Sequence, residues 1–313
     1  MNRDSKVIVT GGAGFIGSHL VPELLSRNYR VLVIDNLHSG RQDNVPPEAE
    51  FLYLDLGRAE EFSIFEILHD FRPDTIIHLA GMHYIPACIA NPAETFLANV
   101  RSTELLTRAL SRLSIHKLIA ASSADVYSAL DKEHPESEPA APVNVYGLSK
   151  VLMEDMLVSA ARADPGRSSG ALRLFNVYGP RDANPHVIPR IIKLLRSHSL
   201  ELRMGATETT RDFVHVDDVV RAICSALEHE TAKYDVFNVG TGQATPVREI
   251  VRILQQAAGE RRTIVQDRSL MRHYDRPSLT ADISKISQHL NWRPTVTIED
   301  GLTRLLSEAM ATS

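Results

Sequence analysis

Short unbroken apolar runs recur through the first half of the chain, at "VIVT", "YRVLVID", "FLYLDL", "TIIHLAG", "HKLIAASSADVY" and "GALRLFNVYG". Runs of this kind, without polar alternation, suit strands buried on both faces. Between them the apolar spacing changes to three and four, as in "FIGSHLVPELLSRN", "AEEFSIFEILHDF" and "PAETFLANVRSTELLTRALSRL", the period of a helix with one apolar side. The alternation predicts an α/β fold, a doubly wound parallel sheet with helices on both faces.

After Val177 the strict alternation ends. Turns follow, with helices such as "HVIPRIIKLLRSH" and "VDDVVRAICSALEH" and short strands such as "YDVFNVG". We expect residues 1–177 to form the sheet domain. Residues 178–313 should form a smaller α/β substrate-binding region, with some segments returning to the sheet. One long polar, proline-rich loop, "SALDKEHPESEPAAPVN", leads into the candidate chemistry described below.

Composition narrows the function classes. A net charge of −5 gives no basic footprint for nucleic acid, and no apolar stretch approaches the length of a membrane span. The first strand starts too near the N-terminus for a signal peptide, and Cys88 and Cys224 show no metal-ligand spacing. A cytoplasmic protein without a bound metal is expected.

The first strand-like run meets three glycines, Gly11, Gly14 and Gly17, and residues 12–17 fit G-x-G-x-x-G between a strand and a helix. That placement suits a dinucleotide pyrophosphate held on the N–H groups of the helix start. The second run ends in Asp35, 18 residues beyond Gly17, close to the offset of roughly 20 at which an acid meets a ribose 2′-hydroxyl. Such an acid favours NAD over NADP.

Further along, "VYGLSK" places Tyr146 and Lys150 four residues apart, on one face of a helix. A phenol of pKa about 10 becomes a base near neutrality only with some 4 kcal/mol of help, which an ammonium and an oxidised nicotinamide together can supply. Ser122 and Ser123, in "ASSADVY" at the end of the fifth strand, add hydroxyls able to share a moving proton.

Together these residues give the chain its likeness. It resembles the extended short-chain dehydrogenase/reductase family, in its nucleotide-sugar epimerase/dehydratase branch, through "TGGAGFIG", "DNL", "HLAG", "ANV", "SSADVY", "YGLSK", "RLFNVYGPR", "RDFVHVDDV", "FNVGTG" and "LNWRP". The resemblance implies a Rossmann-type sheet, bound NAD, and reversible hydride transfer at a sugar carbon. Tyr146 would be the base, Lys150 its partner at the nicotinamide ribose, and Ser123 a hydrogen bond to the reacting hydroxyl.

Cofactor contacts would come from Gly11, Gly14, Phe15, Ile16 and Gly17, and from Asp35 and Asn36. Asp55 and Leu56, then Leu79, Ala80 and Gly81, then Asn99 and Ser122 would complete them with Tyr146 and Lys150. Asn176, Arg211 and Arg276 would hold the diphosphate of a nucleotide-sugar, a UDP-sugar above all. Ser123, Asp125, Tyr146 and His83 would meet the sugar. The resemblance also implies a homodimer built on the helices of residues 92–110 and 146–161.

Departures from the family pattern fall at Ser102 and Ser128, usually glycines, and at Met82, His83 and Tyr84. Relatives that eliminate water carry Asp-Glu where this chain has Ala124-Asp125, and decarboxylating relatives keep Glu at the second position. The expected reaction is C4 epimerisation of a UDP-hexose or UDP-hexuronate through a 4-keto sugar. The alternatives are decarboxylation, 4,6-dehydration, or a non-catalytic NAD-binding sensor or scaffold.

Overall fold

Seven parallel strands make the central sheet: β1 (Lys6–Thr10), β2 (Arg30–Asp35), β3 (Glu50–Tyr53), β4 (Thr75–His78), β5 (Lys117–Ser123), β6 (Ser168–Leu174) and β7 (Tyr234–Val239). This is a computed structural model, and it describes residues 5–311 apart from 114, 131, 165, 198–200, 230–233 and 271–275. The strand order is β3-β2-β1-β4-β5-β6-β7. The order reverses between β1 and β4, where Thr10 pairs with both Ile34 and His78, and there the carboxyl ends of the strands open a crevice.

Both faces are covered, as continuous apolar strands require. On one side α1 (Gly17–Ser26) and a later helix, Val216–Glu228, close a core that includes Val9, Leu20, Leu24, Val219, Ile223 and Trp292. On the other, α2 (Glu61–Phe71), α3 (Ser102–Leu110) and α4 (Val145–Ala163) pack on Ile8, Ile76, Leu105, Leu118, Met153 and Leu157. A separate core joins α5 (Val187–Arg196), Leu202, Met204, Ile250, Leu254 and Leu302, and forms the smaller region beside the crevice.

Four segments differ from the sequence pattern. The helical stretch of residues 92–110 is interrupted by a π turn at Leu97–Arg101. "GALRLFNVYG" divides after Leu174, because residues 176–178 leave the sheet to pair with Phe213–His215. "YDVFNVG" becomes β7, paired along its whole length with β6. The helix expected over "HVIPRIIKLLRSH" runs only over Val187–Arg196; the last residue of that stretch lies outside the described residues.

Candidate active site

The glycine turn sits at the switch point, and its glycines serve different ends. Gly11 has φ +71°, and a Cβ there would lie 2.6 Å from the Ala80 nitrogen, so it lets β1 and β4 approach at the crevice. A Cβ on Gly17 would lie 2.5 Å from the Gly11 oxygen, so that glycine seats α1 against its own strand. Two of the three are thus explained by the chain's own packing. Gly14 has only the Gly11 oxygen, 3.2 Å from such a Cβ, and faces the cavity together with Phe15 and Ile16. The first turn of α1 carries no acidic side chain, so its positive end is left for an anion.

Segment 179–182 braces that helix. Pro22 has no N–H to give the Ser18 carbonyl, and Arg181 donates to that oxygen instead, at 2.8 Å. His19 meets the Pro180 carbonyl at 3.1 Å.

A cavity of about 840 Å³ runs along the crevice from Asp35, Asn36, Asp55 and Leu56 past Leu79–Gly81 to Tyr146, Asn176 and Arg211. Asp35 is nearly buried; one carboxylate oxygen accepts from Ala13 N–H at 3.0 Å and the other from Leu37 N–H at 2.8 Å. The acid therefore caps the next turn and also faces the cavity. Asn36 donates to Asp55 at 3.1 Å. This set fits a dinucleotide: an anion-accepting helix start, a carboxylate beyond the second strand, and one continuous cavity between them.

At the centre of the cavity Tyr146 and Lys150 leave one face of α4, both buried. Asn144 caps this helix by accepting from Gly147 N–H, and its amide donates to Asp125 at 3.1 Å. Burial raises the pKa of the Tyr146 hydroxyl, the neighbouring Ser123 hydroxyl opposes that, and Asp125 and Cys88 add to it. Lys150 donates to the Ala121 carbonyl at 2.7 Å, and burial lowers its pKa to about 8. Its ammonium lies 5.9 Å from the Tyr146 ring centre, close enough for its charge to favour the phenolate.

Asn99, in the π turn, accepts from Met82 N–H and donates to the Met82 carbonyl and to Ser149, tying the loop after β4 to α4. It does not line the cavity. Ser122 does, and gives its proton to Glu154, whose carboxylate forms a two-pronged pair with Arg173. Glu154 continues the four-residue step of Tyr146 and Lys150, a signal present in "YGLSKVLME".

Arg276 departs from its expected place at a diphosphate. It is buried, donates to the Ala124 and Asp125 carbonyls, and does not line the cavity, so it braces the turn that carries Ser123. The two serines in glycine positions also have partners. Ser102 bonds back to the Ala98 carbonyl and approaches His78 at 3.4 Å; Ser128 donates to Glu138 in the proline-rich loop. Among the described residues no cluster of His, Cys, Asp and Glu is arranged to hold a metal ion, and no helix is long and apolar enough to cross a membrane.

Residues 7–240 match the NAD-dependent epimerase/dehydratase family. The chain belongs to that family. Among its members, a UDP-glucose 4-epimerase of Lactobacillus helveticus is 34% identical over 309 residues, covering 92% of each chain. The structure of a UDP-glucose 4-epimerase with UDP-glucose from Thermotoga maritima superposes with a TM-score of 0.90 at 32% identity, over 98% of this chain and 99% of the other. A UDP-glucose 4-epimerase of Thermus thermophilus in complex with NAD gives 0.89 at 29% identity, over 98% and 100%. Membership explains why the crevice, the glycine turn and the Tyr-Lys helix occur together.

Proposed function

We propose that the protein is an NAD-dependent epimerase that inverts C4 of a UDP-sugar. One observation carries the reading: Ser123, Tyr146 and Lys150 together line the cavity that begins at the dinucleotide turn. Two hydroxyls so placed can bracket the 4-hydroxyl of a sugar. Bound NAD would supply the acceptor and the donor of the C4 hydride.

Tyr146 removes the proton of the 4-hydroxyl and returns it after the sugar has turned over. Ser123 orients the reacting oxygen, and Lys150 holds the nicotinamide ribose. Asn176 and Arg211, both lining the cavity, hold the diphosphate, which stays fixed while the sugar swings. Asp125 stands beside Ser123 at 3.5 Å without a second acid at residue 124, an arrangement suited to binding a sugar hydroxyl and not to protonating a leaving one.

The supporting relatives are full-length matches named for this reaction. We further infer a cytoplasmic homodimer, in keeping with two buried free cysteines and with the exposed Leu148 on α4. Tyr146→Phe is expected to keep the fold and cofactor binding and to lower turnover of UDP-galactose by roughly 10² to 10⁴. Undiminished turnover would remove Tyr146 from the chemistry.

A further inference from the structure

Three polar side chains stand in one row across the sheet. Ser122 of β5 is paired with Arg173 of β6, and Arg173 in turn with Asn238 of β7, so all three leave the sheet on the same face. Each is at most 6% exposed. Over the row lie Glu154 of α4 and Tyr127, which follows the turn Ala124–Val126, both buried.

Glu154 Oε1 accepts from the Ser122 hydroxyl at 2.5 Å and from Arg173 Nε at 3.0 Å, and Oε2 accepts from Arg173 Nη2 at 2.8 Å. Arg173 Nη1 donates to the Tyr127 hydroxyl at 3.0 Å, and that hydroxyl donates to the Asn238 side-chain oxygen at 2.6 Å. One turn earlier on α4, Lys150 donates to the Ala121 carbonyl. Consecutive residues of β5 are thus gripped by consecutive turns of the helix that carries Tyr146. Neither Glu154 nor Arg173 lines the cavity.

A buried ion pair adds little net stability over apolar packing of the same volume, so stability alone does not account for one here. A two-pronged pair does fix geometry, because both bonds form in only one mutual orientation. We propose that Glu154 and Arg173 are positioning residues, whose pair seats α4 on β5 and β6 and so holds Tyr146 and Lys150 in register with Ser123. The inference rests on the catalytic reading of those three residues above. Released from the pair, α4 can settle differently on the sheet, and a displacement of about 1 Å at Tyr146 is enough to lower turnover by about 10².

Removing one partner would strand a buried charge, so the test replaces both, combining Glu154→Met with Arg173→Met. Two readings are taken on full-length, NAD-loaded protein: kcat and KM with UDP-galactose, and the phenolate absorbance of Tyr146 across pH, assigned by difference from Tyr146→Phe. We expect kcat per folded molecule to fall by about 10² with KM within a few fold of normal. The phenolate should need a roughly tenfold lower proton concentration to form, because the phenol and the Lys150 ammonium no longer keep their spacing. A folded variant whose turnover matches that of the active unaltered protein, or whose phenolate is unmoved, overturns the proposal and leaves the pair to packing alone. Should the double variant not fold, Arg173→Lys, which keeps the charge and loses the fork, is judged by the same two readings. A phenolate that moves in the variant, when the unaltered protein turns over no UDP-galactose, supports the positioning and overturns the assigned reaction instead.

Discussion

Lys150 carries the sharpest conflict between position and chemistry. Its ammonium is buried on α4, and burial lowers its pKa from 10.5 to about 8. Below about pH 8 the folded chain therefore holds a buried charge at a cost. Between about 8 and 10.5 the unfolded chain keeps a proton that the folded chain has lost, so stability gains with rising pH across that window. Lys150→Met should stabilise the NAD-free protein at pH 7 by about 1–3 kcal/mol, less what the Ala121 carbonyl forfeits, and flatten that gain, while turnover is lost. Denaturant melts of both proteins across pH 7–11 check this, and a variant clearly less stable at pH 7 contradicts it. The Tyr146–Lys150 pair was legible because it lies within one helical turn of sequence. The place of Arg276 was not, because its partners, the carbonyls of Ala124 and Asp125, lie some 150 residues earlier and leave no local pattern.

Among the elements, α4 does most to assemble the site. Its cap at Asn144 reaches Asp125, and Gly147 in its first turn is pressed on the same segment: a Cβ there would lie 2.2 Å from the Asp125 oxygen. Gly147→Ala must therefore push the helix away from the turn that carries Ser123, parting two hydroxyls that must both reach the reacting oxygen. Turnover should fall by about 10² with NAD affinity within a few fold of normal, since misplacement by about 1 Å is enough for such a loss. Kinetics beside NAD titration checks the split, and unchanged turnover contradicts it. The strands and helices of the sheet were readable from apolar period alone. The π turn at Leu97–Arg101 was not, because a single widened turn leaves the three-four spacing almost intact, and what favours it is Asn99 fixing Met82 and Ser149 from its inner side.

For the whole molecule, one strand of the central sheet is supplied from far along the chain. β7 comes from residues 234–239, yet completes the sheet beside β6, so the smaller region is bound to the dinucleotide side at more than one point. The pattern after Val177 led to the expectation that some segments return to the sheet but did not say which, since one apolar run joins a sheet or a cap with equal ease. On the outer face, a pairing of α4 and the helices of residues 92–110 with a second copy would cover Leu148, 43% exposed. Light scattering at micromolar concentration should give twice the chain mass; a monomer contradicts that assembly. The central claim is that this cavity oxidises and re-reduces one sugar carbon without releasing the hydride. The most direct measurement follows NAD-loaded protein with UDP-galactose in deuterated water by NMR and mass spectrometry. The account predicts the C4 epimer, unchanged in mass and free of deuterium at C4. Loss of water or carbon dioxide, or deuterium at C4, would contradict it.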